Sequence, residues 1–119
     1  MADTDLRAEP TKGHRLYAQW RTARANWELA RFDPAHLGRD LPEDMEALHC
    51  DTEHAALVAY LLHPAESLQE LARKLGTFRD EDGYAFDLAG EIVAALAMDA
   101  RNLSNADVDR RRPQSLQAA

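Results

Sequence analysis

The chain has 119 residues, a hydrophobic fraction of 45% and a formal net charge of −7, which suits one folded domain that buries roughly two thirds of its unfolded surface. Its single cysteine, Cys50, excludes an internal disulfide, and no run approaches the roughly 18 apolar residues of a membrane span. Residues 1–10 also lack the basic and apolar regions of a secretory signal. We therefore expect a cytoplasmic location and no membrane partner.

The two ends of the chain are predicted to be loose. Residues 1–13 are polar and contain Pro10 and Gly13, which indicates a flexible N-terminal arm. Residues 105–119 carry charges, a proline and few apolar side chains, which indicates a flexible C-terminal tail. The folded domain is expected over residues 14–104.

The first helix is predicted over residues 14–31. Apolar side chains recur there at spacings of four, three, four and three, which places them on one helical face: Leu16, Trp20, Ala23, Trp27 and Ala30. Pro34 then disfavours a helical conformation at Asp33.

The second helix is predicted over residues 42–62, after a linker over 33–41. Asp40 can cap it, and Pro42, Glu43 and Asp44 are favourable near a helix start. Its buried face is predicted to carry Met45, Leu48, Thr52, Ala55, Ala59 and Leu62.

A short third helix is predicted from Ala65 or Ser67 to Leu75, with Gly76 as its C-cap. Its predicted buried face carries Leu68, Leu71 and Leu75.

The last helix begins either near Thr77 or near Tyr84, and its core face carries Leu88, Ile92, Leu96 and Leu103. No segment alternates with period two. The sequence therefore predicts an all-α fold, a small helical bundle of about four helices, three long and one short.

Asp99 falls on the apolar face of the last helix, in line with Ile92 and Leu96. If it is buried, it needs a partner such as Arg24, Arg73 or a tryptophan N–H. The alternative is that the apolar face is narrower and Asp99 lies exposed at its edge.

The segment from Ser67 to Gly76 resembles the first helix and turn of a helix-turn-helix DNA reader. A recognition helix should then follow with side chains that reach bases and phosphates. Residues 84–100 contain no Arg, Lys, Asn, Gln, Ser or Thr, and acids precede and interrupt them. DNA binding through this segment is therefore disfavoured.

The second helix also carries possible metal ligands: Glu46, His49, Cys50 and His54. Glu46 and His49 form half of a di-iron carboxylate motif, and Cys50 and His54 lie on one helix face, but neither set is complete. Whether the four converge stays open, and we predict no metal and no cofactor.

No catalytic constellation is recognisable. The serines lack a nucleophile-elbow context, and the five glycines are scattered rather than gathered in a phosphate-binding loop. We expect a protein that is not an enzyme.

Three aromatic side chains of the first helix, Tyr17, Trp20 and Trp27, are candidates for an interaction surface. Tryptophans at helical spacing are more often core residues, but they are also enriched at interface hot spots. A homodimer through this face is one possibility.

The chain resembles small uncharacterised all-helical proteins of alphaproteobacteria and their prophages. The resemblance rests on Trp20, Pro64, Ala65, Leu68, Leu71, Lys74, Leu75 and Asp99, and it implies the fold without an activity. We expect a module that binds another protein or itself. The alternative is a DNA-associated regulator that uses residues 67–76 or the arginines at 110–112.

Overall fold

The computed structural model describes residues 9–33, 35 and 40–111, which form four α-helices and no strand. We number them α1 (Lys12–Arg31), α2 (Glu43–Leu62), α3 (Leu68–Asp80) and α4 (Ala89–Arg111), with a short 3-10 helix (Gly83–Ala85) before α4. The predicted all-α class, with three long helices and one short, is confirmed. Within the described ranges, no helix has the length and apolar character that crossing a membrane requires.

The chain divides into two compact units, Met1–Tyr60 and Leu61–Ala119. The first, unit 1, contains α1 and nearly all of α2. The second, unit 2, contains α3, the 3-10 helix and α4. The boundary lies in the last turn of α2, inside the range predicted as one domain.

The ends of the folded region differ from the predicted boundaries. Helix α4 runs to Arg111, so residues 105–111, which were predicted to belong to a flexible tail, are helical. Helix α1 begins two residues early, at Lys12, because Thr11 caps it by accepting the His14 N–H at 3.0 Å. Of the rest of the predicted arm and tail, residues 1–8 and 112–119 lie outside the described residues.

The predicted buried face of α2 is wrong. Leu48 is 66% exposed, and the buried positions are instead Leu61 and the set Glu53, Leu57 and Tyr60, which is spaced i, i+4, i+7. This face supplies the acceptor that the Trp20 indole N–H needs, because the Glu53 carboxylate accepts it at 2.7 Å. The rotation of α2 about its axis therefore allows this buried hydrogen bond to form, while some aliphatic side chains of the helix lie in water.

Helix α3 begins as predicted, with Ser67 accepting the Glu70 N–H at 3.1 Å. The predicted C-cap at Gly76 is wrong, since the helix continues to Asp80. Thr77 and Phe78, which follow the glycine, are buried. Packing of these two side chains outweighs the modest helix penalty of one glycine.

Helix α4 starts at Ala89, later than either predicted start. Asp82, in the left-handed region at φ 56°, ends the preceding turn, and Tyr84 lies in the 3-10 helix. The predicted core positions Ile92 and Leu96 are buried, whereas Leu88 is exposed.

Candidate protein-binding groove

Unit 2 has an apolar groove between α3 and α4, with a volume of about 320 Å³. Its floor is formed by three buried side chains, Leu71, Phe78 and Leu96. The other lining residues are Leu75, Arg79, Tyr84, Val93, Ala97 and Ala100.

The groove arises from the spacing of its residues on the two helices. In α3, Leu71, Leu75 and Phe78 follow one another at i, i+4 and i+7. In α4, Val93, Ala97 and Ala100 repeat the same spacing, so each helix contributes one continuous stripe. The small alanines on α4 leave room between the stripes.

Several groove side chains lie in water despite their apolar character. Leu75 is 49% exposed, Val93 44% and Tyr84 77%. Single exposed apolar side chains are ordinary, but side chains gathered along one groove form a patch. The three leucines predicted as the core face of α3 therefore divide, with Leu71 buried and Leu68 and Leu75 exposed.

A tight turn sets one end of the groove. Gly83 is buried so closely against the Phe78 ring that an added Cβ would overlap the ring at Phe78 Cδ1. This approach brings Tyr84 edge-on to Phe78, with ring centroids 4.7 Å apart. The turn thus fixes an aromatic side chain at the mouth of the groove.

A buried ion pair fixes α3 against α4. Lys74 donates from Nζ to Asp99 Oδ2 at 2.5 Å and to the His63 carbonyl oxygen at 2.6 Å. The two charged side chains are only 2% and 4% exposed. Asp99, for which burial and an exposed edge were both left open, is buried in the structure, and its partner is Lys74 rather than Arg24, Arg73 or a tryptophan N–H.

The three aromatic side chains of α1 that were predicted as an interaction surface differ in their burial. Trp20 is 3% exposed and its Nε1 donates to Glu53, so it is a core residue. Tyr17 and Trp27 are half-buried; Tyr17 packs on Tyr60 with centroids 5.2 Å apart. Of the three, Trp27 alone lines a cavity among those described.

That cavity, in unit 1, has a volume of about 900 Å³. Among its lining residues, Glu46 accepts from Trp27 Nε1 at 3.1 Å and from Arg31 Nη2 at 2.8 Å, while Arg31 stacks on the Trp27 ring. The hydrogen bonds from Trp27 and Arg31 hold the pKa of Glu46 below its usual value. This arrangement stabilises the α1–α2 pair.

The four possible metal ligands of α2 do not form a site in the described part of the chain. Glu46 is engaged by Trp27 and Arg31, and Cys50 lines the same cavity. Among residues 9–33, 35 and 40–111, no group of three or more His, Cys, Asp or Glu is placed to hold a metal ion.

The segment that resembles a DNA reader, residues 67–76, also differs in the structure from what the resemblance implies. Helix α3 passes through Gly76, so the turn that follows a first helix in such readers is not at this position. Lys74, one of the two cations of the segment, is buried against Asp99.

Sequence reasoning missed Arg79, Tyr84, Val93, Ala97 and Ala100 as site residues. A signal for part of the set was present, because Val93, Ala97 and Ala100 form an uncharged stripe beside the stripe of Ile92, Leu96 and Asp99. A helix with a second apolar stripe has more apolar surface than one neighbour covers.

No family model, no curated protein and no solved structure matches the chain.

Proposed function

We propose that this chain is a non-enzymatic protein-interaction module that binds an amphipathic helix in the α3–α4 groove. The observation that carries the proposal is the exposed apolar groove itself, with Leu75 and Val93 on its two walls. Burial of such surface against a partner is favourable, with a free energy of about 25 cal/mol per Å² of apolar area removed from water.

The shape of the groove favours a helix as the bound element. Two neighbouring stripes with i, i+4, i+7 spacing can accept the ridge of a third helix, as in helix-in-groove recognition. Ala97 and Ala100 allow close approach, and Tyr84 offers the amphipathic ring that is common at interface hot spots.

The alternative of a DNA-associated regulator has weaker support. Each phosphate contact needs a cation, and the buried Lys74 is committed to Asp99. The groove also has an apolar lining that suits a protein side chain better than a phosphate backbone.

Selection from a displayed library of helical peptides against the full chain tests the proposal. We expect enriched peptides to carry apolar residues at i, i+4 and i+7. They should bind the Leu75→Asp variant at least about tenfold more weakly, because a carboxylate would replace a wall of the groove.

The matched control is Leu48→Asp, which introduces the same change at an exposed leucine of unit 1, outside the groove. This variant should bind the enriched peptides like the unmodified chain. Enrichment without a helical apolar pattern, or equal binding by Leu75→Asp, would contradict the proposal.

A further inference from the structure

We infer that the groove recognises an acidic amphipathic helix, whose carboxylate pairs with Arg79 while its apolar stripe fills the groove. This inference rests on the proposed function and specifies the chemistry of the partner. It starts from the lining: of its nine residues, eight are uncharged and the ninth is Arg79. No acidic side chain lines the groove in the part of the chain that the structure describes.

Arg79 is open to a second carboxylate. Its side chain is 78% exposed, and the ion pair described for it joins Nε to Asp80 Oδ1 at 3.1 Å. Such an exposed pair contributes little to stability. The guanidinium carries five N–H donors, so the two terminal nitrogens can meet an incoming carboxylate while Nε keeps Asp80.

The apolar walls strengthen this pairing once a helix is seated. A partner that covers Leu75 and Tyr84 excludes water beside the guanidinium, and a charge pair gains strength as the local dielectric falls. The Arg79 contact therefore adds selectivity to binding energy that the apolar stripe supplies.

The position of Arg79 also sets the register of the partner. Arg79 follows Leu75 by one helical turn, and Tyr84 marks the same end of the groove. The partner's acidic residue should consequently lie three or four positions from the apolar residue that packs on Leu75.

A second copy of the chain is a less suitable occupant. Two copies each carry a net charge of −7, and like-charged proteins repel at long range. A short partner helix with one or two acids brings much less like charge and still satisfies Arg79. Nucleic acid is disfavoured as an occupant because Arg79, the one cation among the described residues that line the groove, can pair with only one phosphate.

Fluorescence anisotropy with labelled synthetic peptides from the helix library tests the inference. Three versions of one groove-dependent peptide carry Glu, Gln or Lys at the position facing Arg79. With the full chain we expect Glu to bind about threefold or more tightly than Gln, and Lys to bind most weakly. The preference should weaken as salt is raised.

Arg79→Glu should reverse the order, so that the Lys peptide binds best. Arg101→Glu is the control, since it makes the same charge change at an exposed site on α4 outside the groove lining. It should keep the original order. Both substitutions are at exposed positions, and matching thermal unfolding curves verify that each variant is folded.

The outcomes separate the inference from the proposed function. Leu75-dependent binding with no preference among Glu, Gln and Lys overturns the acidic partner and leaves the groove function standing. Loss of Leu75 dependence for all peptides overturns both. Self-association of the full chain in sedimentation equilibrium that Leu75→Asp abolishes overturns the inference in favour of a second copy.

Discussion

Lys74 and Asp99 form an almost completely buried ion pair between α3 and α4, with Nζ 2.5 Å from Oδ2. The His63 carbonyl oxygen accepts a further hydrogen bond from the same ammonium. Burial of two charges has a large desolvation cost, which mutual attraction and additional hydrogen bonds offset. Removal of one member leaves the other charge buried without its partner.

We therefore expect Asp99→Ala and Lys74→Met each to lower the free energy of unfolding by about 3 to 5 kcal/mol. The double variant with Asp99→Leu and Lys74→Met should lose clearly less than the sum of the two single losses, because it leaves no unpaired charge. Urea denaturation followed by circular dichroism measures these changes. Strict additivity would contradict the coupling.

Asp80→Ala is the control for that experiment. It removes the carboxylate from the Arg79–Asp80 pair, whose side chains are both largely exposed. The loss should stay within about 1 kcal/mol. A loss as large as that of Asp99→Ala would show that burial is not the cause.

The two tryptophans of α1 offer a matched comparison of hydrogen bonds. Each donates its indole N–H to a glutamate of α2, but Glu53 is buried whereas the Glu46 side chain is 40% exposed. Trp20→Phe should cost about 1 to 3 kcal/mol beyond the loss of ring contacts, since the Glu53 carboxylate keeps only the Arg24 bond at 3.2 Å among its described contacts.

Trp27→Phe should cost less than Trp20→Phe, because water can replace the lost donor at Glu46. Denaturant midpoints of the two variants, measured at one pH, give the comparison. Equal losses would argue that ring packing alone, and not the hydrogen bond, determines the effect.

Glu46 predicts a pH dependence of stability. Hydrogen bonds from Trp27 and Arg31 lower the pKa of Glu46 in the folded state below the usual value of 4.5. Between these two pKa values the unfolded chain binds more protons than the folded chain, so stability falls as the pH falls. The contribution is fully present above the unfolded pKa and is lost as the pH drops through the folded pKa.

The Glu46→Gln variant should show a shallower fall in the free energy of unfolding from about pH 5 to pH 3. Its amide oxygen can still accept from Trp27, and because the amide does not titrate, the variant lacks the contribution of this group to the slope. Chemical denaturation at a series of pH values provides the measurement, and an unchanged slope would contradict the assignment.

Two glycines should respond oppositely to alanine. At Gly83 an added Cβ would overlap the Phe78 ring, whereas at Gly76 it would meet no atom within 4 Å. Gly83→Ala should therefore destabilise the chain by about 1 to 3 kcal/mol through overpacking. Gly76→Ala should stabilise α3 by about 0.5 to 1 kcal/mol.

Thermal unfolding distinguishes these two variants directly, since one melting temperature should fall and the other rise. Gly83→Ala should also weaken peptide binding to the groove, because Phe78 forms its floor and Tyr84 follows the turn. Retained binding would show that the turn does not position Tyr84 for recognition.

The sequence predicted the helices better than their contacts. Capping residues and prolines are local signals, so α1, α2 and the start of α3 were found within two residues. The continuation of α3 through Gly76 depends on Phe78 packing in unit 2, which no local rule contains.

Most residues of the α3–α4 groove could not be predicted from the sequence, for a related physical reason. An apolar stripe predicts that a face is buried, but it does not say against what. Leu75 was assigned to the core on that basis and lines the groove instead. Asp99 was recognisable as a charged residue on an apolar helix face. Its partner, Lys74, could not be identified because that required knowledge of how α3 packs on α4.

The burial of Lys74 has a consequence for chemical labelling. The sequence contains two lysines, Lys12 and Lys74, and only Lys12 is exposed in the structure. An amine-reactive reagent should modify Lys12 rapidly and Lys74 only when unit 2 opens. The rate of Lys74 modification, resolved by mass spectrometry, therefore records local opening of the helix pair that forms the groove.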